Sequence, residues 1–116
     1  MLEKPAFIQG VFEFEGWGLG NPAPFITPAT YRVPPDKRVQ TIYFRAGNAA
    51  AEMISLVLTR GGKAMRYFPV GAKSSIHVAL AVLEDISPGS AIEVLVAAPP
   101  GIRSSVVVDV GFMEIA

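Results

Sequence analysis

The sequence predicts an all-β fold, an antiparallel β-sandwich of about seven to nine short strands. Three observations predict it. Apolar and polar residues alternate with a period of two along most of the chain, turn signals built from Gly, Pro and Ser separate the alternating runs, and no stretch of helix length carries a helical period. Jelly-roll or Greek-key connectivity is the default for such a chain.

The first strand is expected over Phe7 to Glu15, with Ile8, Gly10, Phe12 and Phe14 on one side and Gln9, Val11, Glu13 and Glu15 on the other. A second, about Val39 to Ala46, sets Ile42 and Phe44 against Thr41, Tyr43 and Arg45. Met53 to Thr59 follows, with Ile54, Leu56 and Leu58 as its core side. Gly61-Gly62 is the clearest local signal, because adjacent glycines tolerate the positive φ angles of a two-residue hairpin turn. Counting outward pairs Arg60 with Lys63, Leu58 with Met65 and Leu56 with Tyr67, and leaves Val57 and Phe68 on the opposite face.

Ser74 to Leu83 reads as a strand, with a helical turn over Ala79 to Ile86 as the alternative end. Ser87-Pro88-Gly89-Ser90 is a turn. Ile92 to Ala97 is a strand, Pro99-Pro100-Gly101 stops it, and Ser104 to Val110 begins the last, with a bulge expected at Gly111 before Phe112 to Ile115. The segment Leu83 to Val94 faintly resembles the turn before a late strand in fibronectin type III domains, with Ile92 where that family usually carries its corner tyrosine. That resemblance covers about a tenth of the chain and implies only the sandwich class, with an immunoglobulin- or fibronectin-III-like arrangement as the alternative to the jelly roll.

At 116 residues the chain is expected to form one domain, 1–116. It is 51% hydrophobic and 17% charged, which excludes disorder. No apolar run is long enough for a membrane helix, and the start, Met1-Leu2-Glu3-Lys4-Pro5, lacks a signal-peptide pattern, so a soluble cytoplasmic protein is expected. Without cysteine there is no disulfide, thiolate nucleophile or zinc-thiolate site, and the single histidine leaves few metal or acid-base constellations. No cofactor and no metal is expected. A Ser-His-Asp relay would have to use His77 with Ser55, Ser74 or Ser105 and Asp85 or Asp109, and no spacing supports it. Glu13 and Glu15 read as a solvated strand face rather than a glycosidase pair, and no Asp-rich loop supports cation binding by these two with Asp109.

Gly16 to Pro35 reads as a twenty-residue loop in which eight residues are Gly or Pro, interrupted by a short strand near Ala29 to Val33. It carries Trp17, Leu19, Phe25, Ile26 and Tyr31. Either it covers the open end of its own sandwich, or it contacts a neighbouring subunit or a ligand. Gly16-Trp17-Gly18-Leu19-Gly20 is not a nucleotide-binding turn, because Pro22 and Pro24 stand where the required helix would run.

Charge is distributed unevenly although its net value is zero. Arg32 to Lys73 holds eight basic residues against Asp36 and Glu52, and the remainder holds Lys4 and Arg103 against eight acidic residues. Cross-strand pairing between the two groups is the simplest account. An anion site around Tyr43, Arg45 and Arg66 is another, if their strands adjoin. No basic run exceeds two residues, which argues against nucleic acid.

These features favour a non-catalytic binding or assembly module, self-associating or docking on a protein partner through Trp17, Phe25, Tyr31, Val57 and Phe68. The alternative is a binder of a small carbohydrate or organic anion through Trp17, Tyr43, Arg45 and Arg66, and a small hydrolase or isomerase comes third.

Overall fold

A computed structural model describes residues 3–80 and 84–116. Nine strands lie among them: β1 Glu3–Glu15, β2 Ala23–Arg32, β3 Arg38–Asn48, β4 Ile54–Arg60, β5 Lys63–Val70, β6 Ser75–Ala79, β7 Asp85–Ile86, β8 Ala91–Ala97 and β9 Arg103–Ile115. The first sheet has the order β1-β9-β3-β6, with β7 also paired to β3, and the second has the order β2-β8-β4-β5. Every pairing is antiparallel. Successive strands mostly cross from one sheet to the other, the connectivity of a jelly-roll sandwich. The alternating runs thus resolve into two layers around one core. Among the described residues, no helix is long and apolar enough to cross a membrane.

The core forms where the apolar side of each strand meets the opposite sheet. Ile8, Phe14, Phe44, Val106, Val108, Val110 and Phe112 face Ile54, Leu56, Leu58, Phe68, Ile92 and Val94, all buried. Phe44 and Phe68 stack across the layers with centroids 3.9 Å apart. At the rim, Tyr31 stacks on Phe112 at 4.9 Å and donates its hydroxyl to Glu114, a buried carboxylate on β9.

Three expectations need correction, each for a backbone reason. Half of the Gly16 to Pro35 segment is β2 rather than loop, because an edge strand has room for Pro24 and Pro28 where no ladder hydrogen bond is lost. The pairing of β2 with β8 is irregular between Pro24 and Ala29, and there Phe25 turns inward against Phe12 and Phe14. In the hairpin the two glycines do take positive φ, 57° and 82°, but Met65 bulges, so Leu58 pairs with Arg66, Val57 with Tyr67 and Leu56 with Phe68. That slip puts Phe68 inside and Tyr67 outside. On β3 the extra residue is Ile42, between the Thr41–Phe112 and Tyr43–Gly111 pairs, so Thr41 is buried and Ile42 exposed. The bulge expected at Gly111 therefore lies on the facing strand, and β9 runs unbroken. Of the strand expected over Ser74 to Leu83, the part at 81–83 falls outside the described residues, as does that part of the alternative helical turn.

Two devices close the ends of the strands. Gly16 passes so near the β8–β9 connection that an added Cβ would lie 2.0 Å from the Pro99 carbonyl, and its N–H donates to the Ile102 carbonyl at 2.7 Å. This is the work of the first glycine in the Gly-Trp-Gly-Leu-Gly run. Asn48, buried at the end of β3, donates its amide to the carbonyls of Glu52 at 2.9 Å and Gly71 at 3.1 Å, while its Oδ1 accepts from the Ala50 N–H at 2.9 Å. One side chain thereby ties two inter-sheet connections together. Asn48→Ala strands these backbone groups, and the expected result is a stability loss of roughly 2 to 3 kcal/mol, read as a lower urea midpoint at unchanged slope.

Candidate functional site

The outer face of the first sheet is built by register. Three cross-strand rows follow one another along it: Phe7, Gly111, Tyr43 and Ala79; then Gln9, Asp109, Arg45 and His77; then Val11, Val107, Gly47 and Ser75. Rows two residues apart on a strand are spaced by about 6.8 Å. The Ile42 bulge determines which residues of β3 face outward here, since it restores alternation with Tyr43 and Arg45 outside and Phe44 inside.

Tyr43 lies over Gly111. A Cβ on Gly111 would come within 2.1 Å of the Tyr43 ring, so the ring occupies the space that any other side chain would take. Its hydroxyl donates to Asp109 Oδ1 at 2.8 Å, and Gln9 Nε2 donates to the same oxygen at 3.1 Å. The His77 ring meets Tyr43 edge to face at 6.0 Å. The Arg45 guanidinium stands over the Tyr43 ring, 5.8 Å from its centroid, and 3.9 Å from Asp109. Burial first, and then the hydrogen bond and charge of Asp109, push the Tyr43 phenol above its ordinary value.

Beside this cluster is an open concavity of about 590 Å³, lined by Arg45, Gly47, Ser75, His77, Val107 and Asp109. The small residues at Gly47 and Ser75 give it depth. The arrangement offers an aromatic surface, two nitrogen donors at Arg45 and His77, and acceptor capacity at Asp109 and Gln9. Among the described residues, no three His, Asp or Glu side chains are grouped as they would be to hold a metal ion.

Of the residues singled out from the sequence for ligand binding, Tyr43 and Arg45 come together here. Arg66 does not join them, because β3 adjoins β9, β6 and β7 rather than the hairpin, and Arg66 pairs instead with Glu84 at 2.7 Å. Trp17 is 61% exposed, in the β1–β2 connection. Among the interface candidates, Phe25, Val57 and Phe68 are already buried by this chain and Tyr31 is half-buried against Phe112. The division of charge is partly used up in ion pairs between the two groups, Arg38 with Asp85 at 2.8 Å across strands and Arg66 with Glu84, just before β7, among them. Sequence reasoning missed Gln9, His77, Asp109 and Gly111 as a group, since Gln9 and Asp109 are 100 residues apart and only the strand register joins them.

A scan against protein-family models finds no match, and a search of curated proteins finds none. Among solved structures, the chain is similar to the CBM36-1 domain of a multidomain xylanase from the hindgut metagenome of Trinervitermes trinervoides, with a TM-score of 0.59 and 13% identity over 97% of this chain and 98% of that one. It also matches the structure of infectious bursal disease virus Gx strain, with a TM-score of 0.47 and 8% identity over 98% of this chain and 33% of that one. The first likeness shows a shared jelly-roll fold.

The Tyr43–Asp109 contact has a pH signature. Removing the carboxylate's charge with Asp109→Asn weakens what holds the phenol neutral, so the Tyr43 titration is expected at lower pH than in the parent protein. Spectrophotometric titration of the tyrosines checks this, with Tyr43→Phe assigning the step.

Proposed function

We propose that this chain, as one domain over 1–116, is a non-catalytic binding module whose ligand is a carbohydrate laid on the outer face of the first sheet. The observation that carries the reading is Tyr43 lying over Gly111, with Gln9, Arg45, His77 and Asp109 around it. An aromatic ring supported from below by backbone presents its apolar surface to the C–H face of a sugar ring, and the surrounding donors and acceptors meet the hydroxyls at its edge. The structural neighbour is a carbohydrate-binding module, which makes a saccharide the first ligand class to test; at 13% identity it contributes the fold and no residue assignments.

The contact surface in this reading is a sheet face, not the Gly16 to Pro35 segment. Phe25 in that segment already serves the core. Trp17 stays outside the proposed site, in a connection between sheets.

A second reading, self-association, rests on β1. It is an edge strand, paired among the described residues with β9 alone, and it carries the exposed Phe7 and Val11 next to the exposed Val107 of β9. A second copy pairing along β1 would extend the sheet and cover these groups.

Glycan-array screening followed by calorimetry tests the first reading. Tyr43→Ala is expected to abolish binding, and Gly111→Ala to weaken it by at least about tenfold by displacing the ring, equivalent to ~1.4 kcal/mol. Retention of full affinity in both variants would remove this face from consideration. For the second reading, sedimentation at micromolar concentration is expected to show a dimer that Val11→Lys dissociates; a monodisperse monomer rejects it.

A further inference from the structure

The carbohydrate reading leaves one group on this face with more capacity than a neutral sugar uses. Arg45 is 55% exposed, and its nearest acidic partner, Asp109, lies at 3.9 Å, beyond hydrogen-bond reach. Its fork of N–H donors is therefore not engaged by that carboxylate. Asp109 meanwhile receives Tyr43 and Gln9 on a single oxygen and is only 22% exposed. These two bonds come from β1 on one side and from Tyr43 of β3 on the other.

We infer that the saccharide bound here carries a carboxylate, as a uronic acid does, and that this group seats between Arg45 and His77. The inference rests on the carbohydrate reading of the same face. Arg45 and His77 are register partners on β3 and β6, whereas Asp109 faces Arg45 from β9 on the other side. Directly opposed side chains have Cβ atoms about 5 Å apart, close enough for one carboxylate to take donors from both. An anion on the β6 side is also one strand farther from Asp109, about 4.8 Å by sheet spacing, which reduces the repulsion it meets. The concavity runs from β9 across β3 to β6, with Asp109 at one end and His77 and Ser75 at the other; Gly47 and Ser75 leave space in it, and the Ser75 hydroxyl adds a polar group at the β6 end.

A planar carboxylate matches the two parallel N–H directions of a guanidinium, and such charge-assisted bonds are roughly twice as strong as neutral ones. A hydroxyl accepts from Arg45 without that gain. Tyr43 and Arg45 thus divide the recognition: the ring holds the sugar body in either case, and the guanidinium selects the acid.

Calorimetric titration of the full chain with oligogalacturonate, the neutral galactose oligomer of the same linkage, a sulfated galactose oligomer and free acetate tests this. The acidic oligomer is expected to bind about tenfold more tightly than the neutral one, with a preference that shrinks as salt is added. Arg45→Gln is expected to cost the acidic oligomer about tenfold more affinity than the neutral one, so that the two bind equally, and Tyr43→Ala to abolish both. Equal affinity for the neutral and acidic oligomers in the parent protein, with Tyr43 still required, overturns this inference and leaves the carbohydrate reading standing. Equal binding of the sulfated oligomer overturns the carboxylate assignment. Acetate binding as tightly as the oligomer, or no binding to any saccharide, overturns the carbohydrate reading itself.

Discussion

The pairing of β3 with β9 is the constraint on which the rest depends. These are the two inner strands of the first sheet, and at one point β3 carries an extra residue, Ile42, opposite the step from Phe112 to Gly111. Without that insertion, strict alternation would carry Ile42 and Phe44 inward together and reverse the faces of the residues before them. With it, Val39 and Thr41 face the core on one side of the bulge, and Phe44 and Ala46 face it on the other. Core and surface are set by the same event. The stack of Phe44 on Phe68 and the placement of Tyr43 over Gly111 are its inner and outer results.

Much of the fold was legible because the hydrophobic effect acts on strand periodicity directly. Ile54, Leu56 and Leu58 alternate in the sequence and are all buried, and the Gly61-Gly62 turn was readable from its φ requirement. The failures share a cause. Bulges at Ile42 and Met65 change the face of everything beyond them, yet they leave no mark in composition or period. Pro24 and Pro28 misled for a related reason: their tolerance depends on β2 lying at a sheet edge, a property of strand order that a single run of residues does not contain.

The candidate site was legible only in part, on the same grounds. Tyr43 and Arg45 are two apart on one strand, so alternation put them on one face. Arg66 was joined to them on an assumed strand order, and the sheets separate it. Gln9, Asp109 and His77 reach the cluster through three different strands, and no local pattern connects them. Gly111 was read through its backbone freedom, whereas its importance lies in the volume it leaves for the Tyr43 ring.

The distance along the chain between β1 and β9 has a kinetic consequence. Their ladder joins Glu3 to Ile115 at one end and Glu15 to Arg103 at the other, so the sheet that carries the site contains contacts among the most remote in the described chain. Such contacts require closure of long loops before they return any stabilisation, and topologies dominated by them fold slowly. During synthesis, β3 and β6 emerge well before the strand that separates β3 from β1. The recognition surface is consequently a late product of folding, assembled when β9 inserts between β1 and β3, and it reports completion of the sandwich rather than formation of any one hairpin.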